Sequence, residues 1–457
     1  MIAVQHTLSS QPQQLMKSHD TTLPKQHDQT YKYDEEKRDV SVNCDCTAYR
    51  SLAKACPCAV EYASRTGKRA VERLLHRSEF FSAFHTSAMV EFQSEAEAAH
   101  GLCRNRDTNK IVEVEAAHLH VGELLGKGGF CLVQECTVDL SSYHQDNNND
   151  DDEEEELEHP INGIDSNSQL CVKFLKPTIL PDKRKFARGI ADLAIEAHFL
   201  ATLCHPNILK IRGITKGIKL FQPICPPLTN ARGVEGGYFL ILDRLRTTLD
   251  KKISVEWKAA FEKYNSFLYR TTHDLRGVKR KELKIERIEV ALHLAQAMEY
   301  LHKHKICYRD LKPDNIGFDS NEQLKLFDFG LAKELKSYKR HEDGTYQLTA
   351  NTGSRRYMAP EVALRKRYNL SVDVFSYAIL LWEICSLEKP FDGFTEIQHM
   401  NLVVQNGHRP KLDILKSWPA GLKDLLHNCW KEDFNERPTF HDVVTQLGTI
   451  YDDIRQE

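Results

Sequence analysis

The chain has 457 residues, of which 41% are hydrophobic, and a formal net charge of −3. That length suits two or three domains, or one large two-lobed domain with extensions. The longest strongly apolar run, Tyr377 to Cys385, is too short to span a bilayer, and the opening MIAVQHTLSSQPQQ turns polar too early for a secretory signal.

The charge is unevenly placed. Asp150 to Glu156 are consecutive acids and Glu158 adds one more; removing these eight from a net −3 leaves +5. A mildly basic globular part with an acidic insert is the fairer description. Thirteen scattered cysteines, an odd number, read as free thiols in a reducing compartment. The expected compartment is the cytoplasm, with the nucleus as the alternative. No membrane association is expected.

Residues 1–42 carry few large apolar groups and are expected to be disordered. Residues 43–118 form an N-terminal extension, partly helical from Ala59 to Phe84, with room for a regulatory partner. Its two C-x-C pairs, Cys44–Cys46 and Cys56–Cys58, are closer spaced than a zinc knuckle and read as reduced thiols.

A new regime opens at Leu119. Alternating apolar residues flank Gly126, Gly128 and Gly129, predicting strand, glycine turn, strand. An acidic, Asn-rich insert over 145–168 reads as a solvated spacer, with a docking segment for basic partners as the sharper reading. Strand pattern resumes at Leu170. From Lys185 to Leu203 the period is helical, and Glu196 shares the stripe of Leu193, Leu200 and Leu203. A carboxylate on an apolar face needs a partner, and Lys173, between apolar neighbours on a strand, is the candidate.

Strands are predicted over Ile208–Ile214 and Gly237–Leu242, joined by a long Pro/Gly-rich loop, with a connector at 243–245. Leu249 to Tyr269 is predicted helical and the stretch to Lys284 a polar, basic insertion. Its basic residues lack interleaved aromatics, so nucleic-acid binding is not expected. Ile285 to His304 is predicted as a strong helix with Ile288, Leu292, Ala295 and Leu301 inward. Ile306 to Gly330 should fold back as hairpin strands carrying Asp310, Lys312, Asn315 and Asp328. A polar segment runs to about Tyr357, and the chain is mostly helical after Pro360. The fold class is α+β: a small, mainly antiparallel β lobe with one key helix, a hinge, and a larger helical lobe.

Taken together, in this order, these motifs resemble a protein kinase domain over 119–457, with an N-lobe at 119–242, a hinge at 243–245 and a C-lobe at 246–457. The resemblance implies ATP and Mg²⁺ as cofactors and protein hydroxyls as substrates. Gly126, Lys127, Gly128, Gly129 and Val133 are similar to the loop over the ATP phosphates, with Cys131 where the family has a third glycine. Lys173 would hold the phosphates, oriented by Glu196. Asp243 and Leu245 would flank the nucleotide at the hinge. Asp310 would accept the hydroxyl proton, Lys312 would neutralise the γ-phosphate, and Asn315 and Asp328 would hold Mg²⁺. Tyr308 replaces the usual histidine before the base.

Lys312 implies serine/threonine transfer, and Cys429-Trp430 with Asp373-Val374-Phe375-Ser376 resemble the tyrosine-kinase-like branch. Ala359-Pro360-Glu361 would close the activation segment, with Arg437 as the buried partner of Glu361. Thr349 and Thr352 are candidate phosphorylation sites facing Arg309, and Ser354 is assigned to the substrate surface. The rival reading is a scaffold that keeps the fold and binds ATP without transfer.

Overall fold

The computed structural model describes residues 111–139, 169–179, 182–215 and 239–456. The C-x-C pairs, the helical reading of Ala59–Phe84, the acidic insert and the Pro/Gly-rich loop lie outside the described residues.

Six strands form the N-lobe sheet: β1 (Val112–Val114), β2 (Leu119–Lys127), β3 (Cys131–Val138), β4 (Leu170–Leu175), β5 (Ile211–Thr215) and β6 (Phe239–Asp243). Their spatial order is β1-β5-β6-β4-β3-β2. All pairs are antiparallel except β1 with β5. The sheet therefore begins seven residues before the expected boundary at Leu119. Three residues of Val-Glu-Val carry too little pattern to read as a strand alone, and β1 owes its existence to the ladder offered by β5. The strand predicted over Ile208–Ile214 likewise starts later, at Ile211; Ile208 instead makes a lone bridge to Leu326.

Side-chain alternation sorts the faces of β4. Leu170, Val172 and Phe174 enter one apolar cluster with Phe239 and Ile241. Cys171 and Leu175 face the other cluster with Leu193, Ala197 and Leu200 of helix α1 (Lys183–Thr202). Lys173 lies between Cys171 and Leu175 and so must point at α1. Asp182 caps α1, its carboxylate accepting the N–H groups of Arg184 and Lys185 at 3.1 Å each.

Beyond β7 (Thr247–Thr248) the chain turns helical. Leu249–Lys251, Lys252–Trp257 and Lys258–Asn265 run on as α2, with a π-helical middle, followed by α3 (Phe267–Thr272) and α4 (Val278–Lys303). α4 starts at Val278, seven residues before the predicted Ile285. Asp274 caps it from outside, accepting the N–H of Lys279 at 3.0 Å, so the basic stretch that read as an insertion is the first turns of a helix. Ile288, Ala295 and Leu301 are fully buried and Leu292 is half-buried.

The C-lobe is built on α5 (Ser371–Ser386), in which every residue from Val372 to Cys385 is buried. A helix buried on all sides belongs at the centre of a domain. α6 (Ala420–Cys429) packs against it, and α7 (Phe440–Gln456) packs against α4. Glu361 and Arg437 form a buried bidentate pair at 2.6 and 3.0 Å. Removing one partner strands the other charge, so Arg437→Ala is expected to cost about 3–5 kcal/mol. A fall in the urea midpoint at unchanged m-value checks this.

Candidate active site

Between α4 and the activation segment lie β8 (Ile306–Cys307), the hairpin β9 (Ile316–Phe318) and β10 (Leu324–Leu326), and β11 (Lys333–Glu334), which pairs with β8. The buried hairpin fixes both ends of the polar stretch. Asp310 sits in the loop before β9 and is 8% exposed. Its Oδ1 accepts the backbone N–H and the hydroxyl of Ser354, both at 2.8 Å. Its Oδ2 accepts from Lys312 Nζ at 2.8 Å and Asn315 Nδ2 at 3.0 Å. Asn315 Nδ2 also donates to the Asp310 carbonyl at 2.9 Å. The amide nitrogen is thereby committed to Asp310, and the amide oxygen is left for another partner. An amide oxygen and the half-exposed Asp328 carboxylate fit a hard divalent cation.

Lys173 Nζ lies 2.5 Å from Glu196 Oε2 and 3.5 Å from Asp328 Oδ1. Burial opposes the lysine charge, but Glu196 and Asp328 outweigh it and hold the ammonium pKa above the ordinary lysine value. Burial pushes the Glu196 carboxyl up to about 7 against the pull of Lys173. The expected pairing of strand lysine and helix carboxylate is therefore present, and it reaches across to Asp328 from the C-lobe side.

In the glycine turn, Gly126 pairs with Val133, Lys127 with Leu132, and the Gly128 N–H donates to the Cys131 carbonyl at 2.9 Å. A Cβ at Gly126, Gly128 or Gly129 would meet no atom closer than 3.7 Å. The fold itself does not demand these glycines, and without a Cβ the backbone of the turn is open to close approach. Cys131 is buried, and burial raises its thiol to about 12, so it stays neutral.

At the hinge, the Asp243 carboxylate is taken by Arg212 Nε at 2.6 Å, its N–H donates to the Lys210 carbonyl at 3.3 Å and its carbonyl accepts from Cys171 Sγ at 3.7 Å. No hydrogen bond to the backbone of Leu245 is found among the described residues.

Tyr308 is buried edge-on against Phe329, 5.2 Å between ring centroids, and its hydroxyl donates to the Phe327 carbonyl. It serves packing and hydrogen bonding, as expected for the position. Arg309, with φ of 70°, donates to the Leu331 carbonyl at 2.7 Å and to the Tyr368 hydroxyl at 3.3 Å. Tyr368 in turn donates to the Thr349 carbonyl at 2.7 Å. Thr352 donates its hydroxyl to that same carbonyl at 3.0 Å. Thr349 and Thr352 are thus near each other and connected to Arg309 through Tyr368. Gly353, with φ of 98°, faces the Arg309 carbonyl so closely that a Cβ would lie 2.2 Å from it.

Two residues carry more than the sequence suggested. Asp373, fully buried on α5, accepts the N–H groups of Tyr308 and Arg309, both at 2.8 Å, and contacts His302 Nε2 at 3.0 Å. It clamps the backbone that presents Asp310. Glu383 accepts the Tyr357 hydroxyl at 2.7 Å and anchors the turn after Ser354. Burial lifts its carboxyl from 4.5 to about 7, opposed by that hydrogen bond. A folded pKa above the unfolded one favours the native state fully below about pH 4.5, an advantage lost as pH rises through about 7. Glu383→Gln is expected to match the wild type near pH 4 and exceed it at pH 8 by on the order of 3 kcal/mol, read from urea melts at both pH values.

The protein kinase domain family model matches residues 162–447, more than half of the chain. The glycine turn lies ahead of that stretch and is joined to it through the six-stranded sheet. The chain is 39% identical over 184 residues to serine/threonine-protein kinase STY17 of Arabidopsis thaliana, covering 40% of this chain and 30% of that protein. It is 40% identical over 170 residues to serine/threonine-protein kinase VIK of the same plant, covering 36% and 37%. It is 35% identical over 176 residues to serine/threonine/tyrosine-protein kinase HT1, also from Arabidopsis, covering 38% and 43%. The matches thus span less than half the length of each of these curated relatives. With Lys173, Glu196, Asp310, Asn315 and Asp328 gathered where two lobes meet, and with this match over the C-lobe and the strands before it, the chain belongs to the protein kinase family.

Proposed function

We propose that the chain transfers the γ-phosphate of ATP, with Mg²⁺, to serine and threonine hydroxyls of protein substrates. One observation carries the reading most directly: a hydroxyl, that of Ser354, already donates to Asp310 Oδ1 at 2.8 Å. That is the distance at which a general base takes a proton from a positioned alcohol. Asp310 accepts the proton of the substrate hydroxyl as the hydroxyl oxygen attacks the γ-phosphorus and the bond from that phosphorus to the β,γ-bridging oxygen breaks, releasing ADP. Lys312, 2.8 Å from Asp310, neutralises the transferring phosphoryl group. Lys173, held by Glu196, positions the phosphates, and the glycine turn Gly126–Gly129 covers them. The base sits against the hinge from Asp243 to Leu245, where the backbone of Leu245 is the part without a hydrogen-bond partner among the described residues.

Asn315 and Asp328 hold Mg²⁺, which when bound neutralises phosphate charge. Phosphorylation of Thr349 or Thr352 acts on the Arg309–Tyr368 tether. Ser354 faces the incoming acceptor. The domain spans 119–457 in this reading, with β1 as an addition from the extension.

The serine/threonine preference rests on Lys312 and on the names of STY17 and VIK; the name of HT1 includes tyrosine as well. A radiolabelled transfer assay against peptide arrays with Ser, Thr or Tyr acceptors tests it. Label on Ser and Thr peptides is expected. Label on Tyr peptides alone would refute the preference.

A further inference from the structure

The helical run after the hinge has a surface that phosphoryl transfer does not use. Neither the last part of α2, Lys258–Asn265, nor α3 buries a single residue. Helices this short are marginal in water unless an apolar face is covered. Yet Phe267 is 83% exposed, Leu275 78% and Leu268 71%. Large exposed apolar groups close together mark an interaction surface. Between Lys258 and Lys284 the chain has eight basic side chains against three acidic ones. Lys258, Arg270 and Arg276 are exposed and have no carboxylate partner among the described residues.

We propose that the chain's own acidic segment, Asp150 to Ile164, docks on this surface. The complement is chemical on both counts. Seven consecutive acids, Asp150 to Glu156, match the uncompensated positive charge, and Leu157, Ile161 and Ile164 follow them to meet the exposed Phe and Leu groups.

The tether also places the segment nearby. It leaves the sheet after β3 and returns at Gln169, whose carbonyl accepts the Arg244 N–H at 2.9 Å. Its root therefore lies beside the hinge, and α2 begins at Leu249, shortly beyond Arg244. From Asp139 to Asp150 the chain can reach roughly 36–40 Å. Lys258 lies within about 18 Å of connector and about 14 Å of helix from Arg244. Tethering supplies an effective concentration in the millimolar range, so a modest contact suffices, whereas a second copy or an external acidic partner must compete by concentration.

The full chain supplies the test. Hydrogen exchange over 258–278 is compared between the wild type and a variant in which Asp150→Asn through Glu156→Gln neutralise the seven acids. A second variant, Phe267→Ser with Leu268→Ser, alters only exposed positions. Each variant is expected to speed exchange in α3 by about tenfold. Salt at 0.5 M should do the same to the wild type only. Carbodiimide cross-linking of the wild type should join the acidic segment to Lys258 or Lys263 within the monomer fraction. Unchanged exchange in the neutralised variant would overturn the proposal. So would cross-links found only in dimers, which assign the surface to a second copy. Equal binding of phosphatidylserine vesicles by wild type and neutralised variant would overturn it in favour of a membrane.

Discussion

Asp310→Asn is expected to slow phosphate transfer by about 10³-fold while leaving ATP affinity nearly unchanged. The carboxylate makes four hydrogen bonds, two to Ser354 and one each to Lys312 and Asn315. An amide has only one accepting oxygen. Whichever way it turns, its NH₂ faces either the donors of Ser354 or the donors of Lys312 and Asn315. It cannot take a proton from an attacking alcohol at neutral pH. Among the described residues neither the glycine turn nor Lys173 hydrogen-bonds to this side chain, so ATP binding is expected to persist. Single-turnover transfer and equilibrium ATP binding on the same preparation separate the two effects. A melting curve within a few degrees of the wild type shows that the loss is chemical and not structural.

Lys173→Met should have the second largest effect, and it should show in stability as well as in rate. Glu196 is 2% exposed and its ammonium partner is 2.5 Å away. Removing that partner forces the buried group either to stay charged without compensation or to take up a proton, at a cost of about 3–5 kcal/mol. Burial already raises Glu196 to about 7 with the lysine present; without it the carboxyl should be protonated at neutral pH. Lys173→Met combined with Glu196→Gln should therefore recover much of the stability and none of the transfer. Urea melts of the two singles and the double form the cycle that measures the pair. Equal stability of the Lys173→Met single and the double would show that the charge pair is not what the lysine contributes.

Much of this site was legible because its logic is local. Lys173 points at α1 by the two-residue alternation of a strand, and Glu196 points back by the three- and four-residue spacing of a helix. The stretch around Asp310 declared itself through polar residues set between apolar strands. What escaped was long-range or conditional. Asp373 is one of two buried acids in a mostly apolar helix, and its partners are amides about sixty residues earlier in the chain. β1 forms only because β5 offers it a ladder, and the early start of α4 depends on a cap at Asp274 outside the helix. The hinge residue Asp243 is similar: its carboxylate goes to Arg212, a pairing set by adjacent strands and invisible to spacing.

Two sets of residues, Lys173 with Glu196 and Asp310 with Asn315 and Asp328, are expected to work as one transfer centre. The most direct measurement is γ-phosphate transfer from labelled ATP to a Ser/Thr protein substrate by the purified full chain, with and without Mg²⁺, beside Asp310→Asn. Magnesium-dependent label on the substrate, lost in the variant, is the expected result. Magnesium-dependent ATP binding with no label on any protein, in wild type and variant alike, would contradict it and mark the chain as a scaffold.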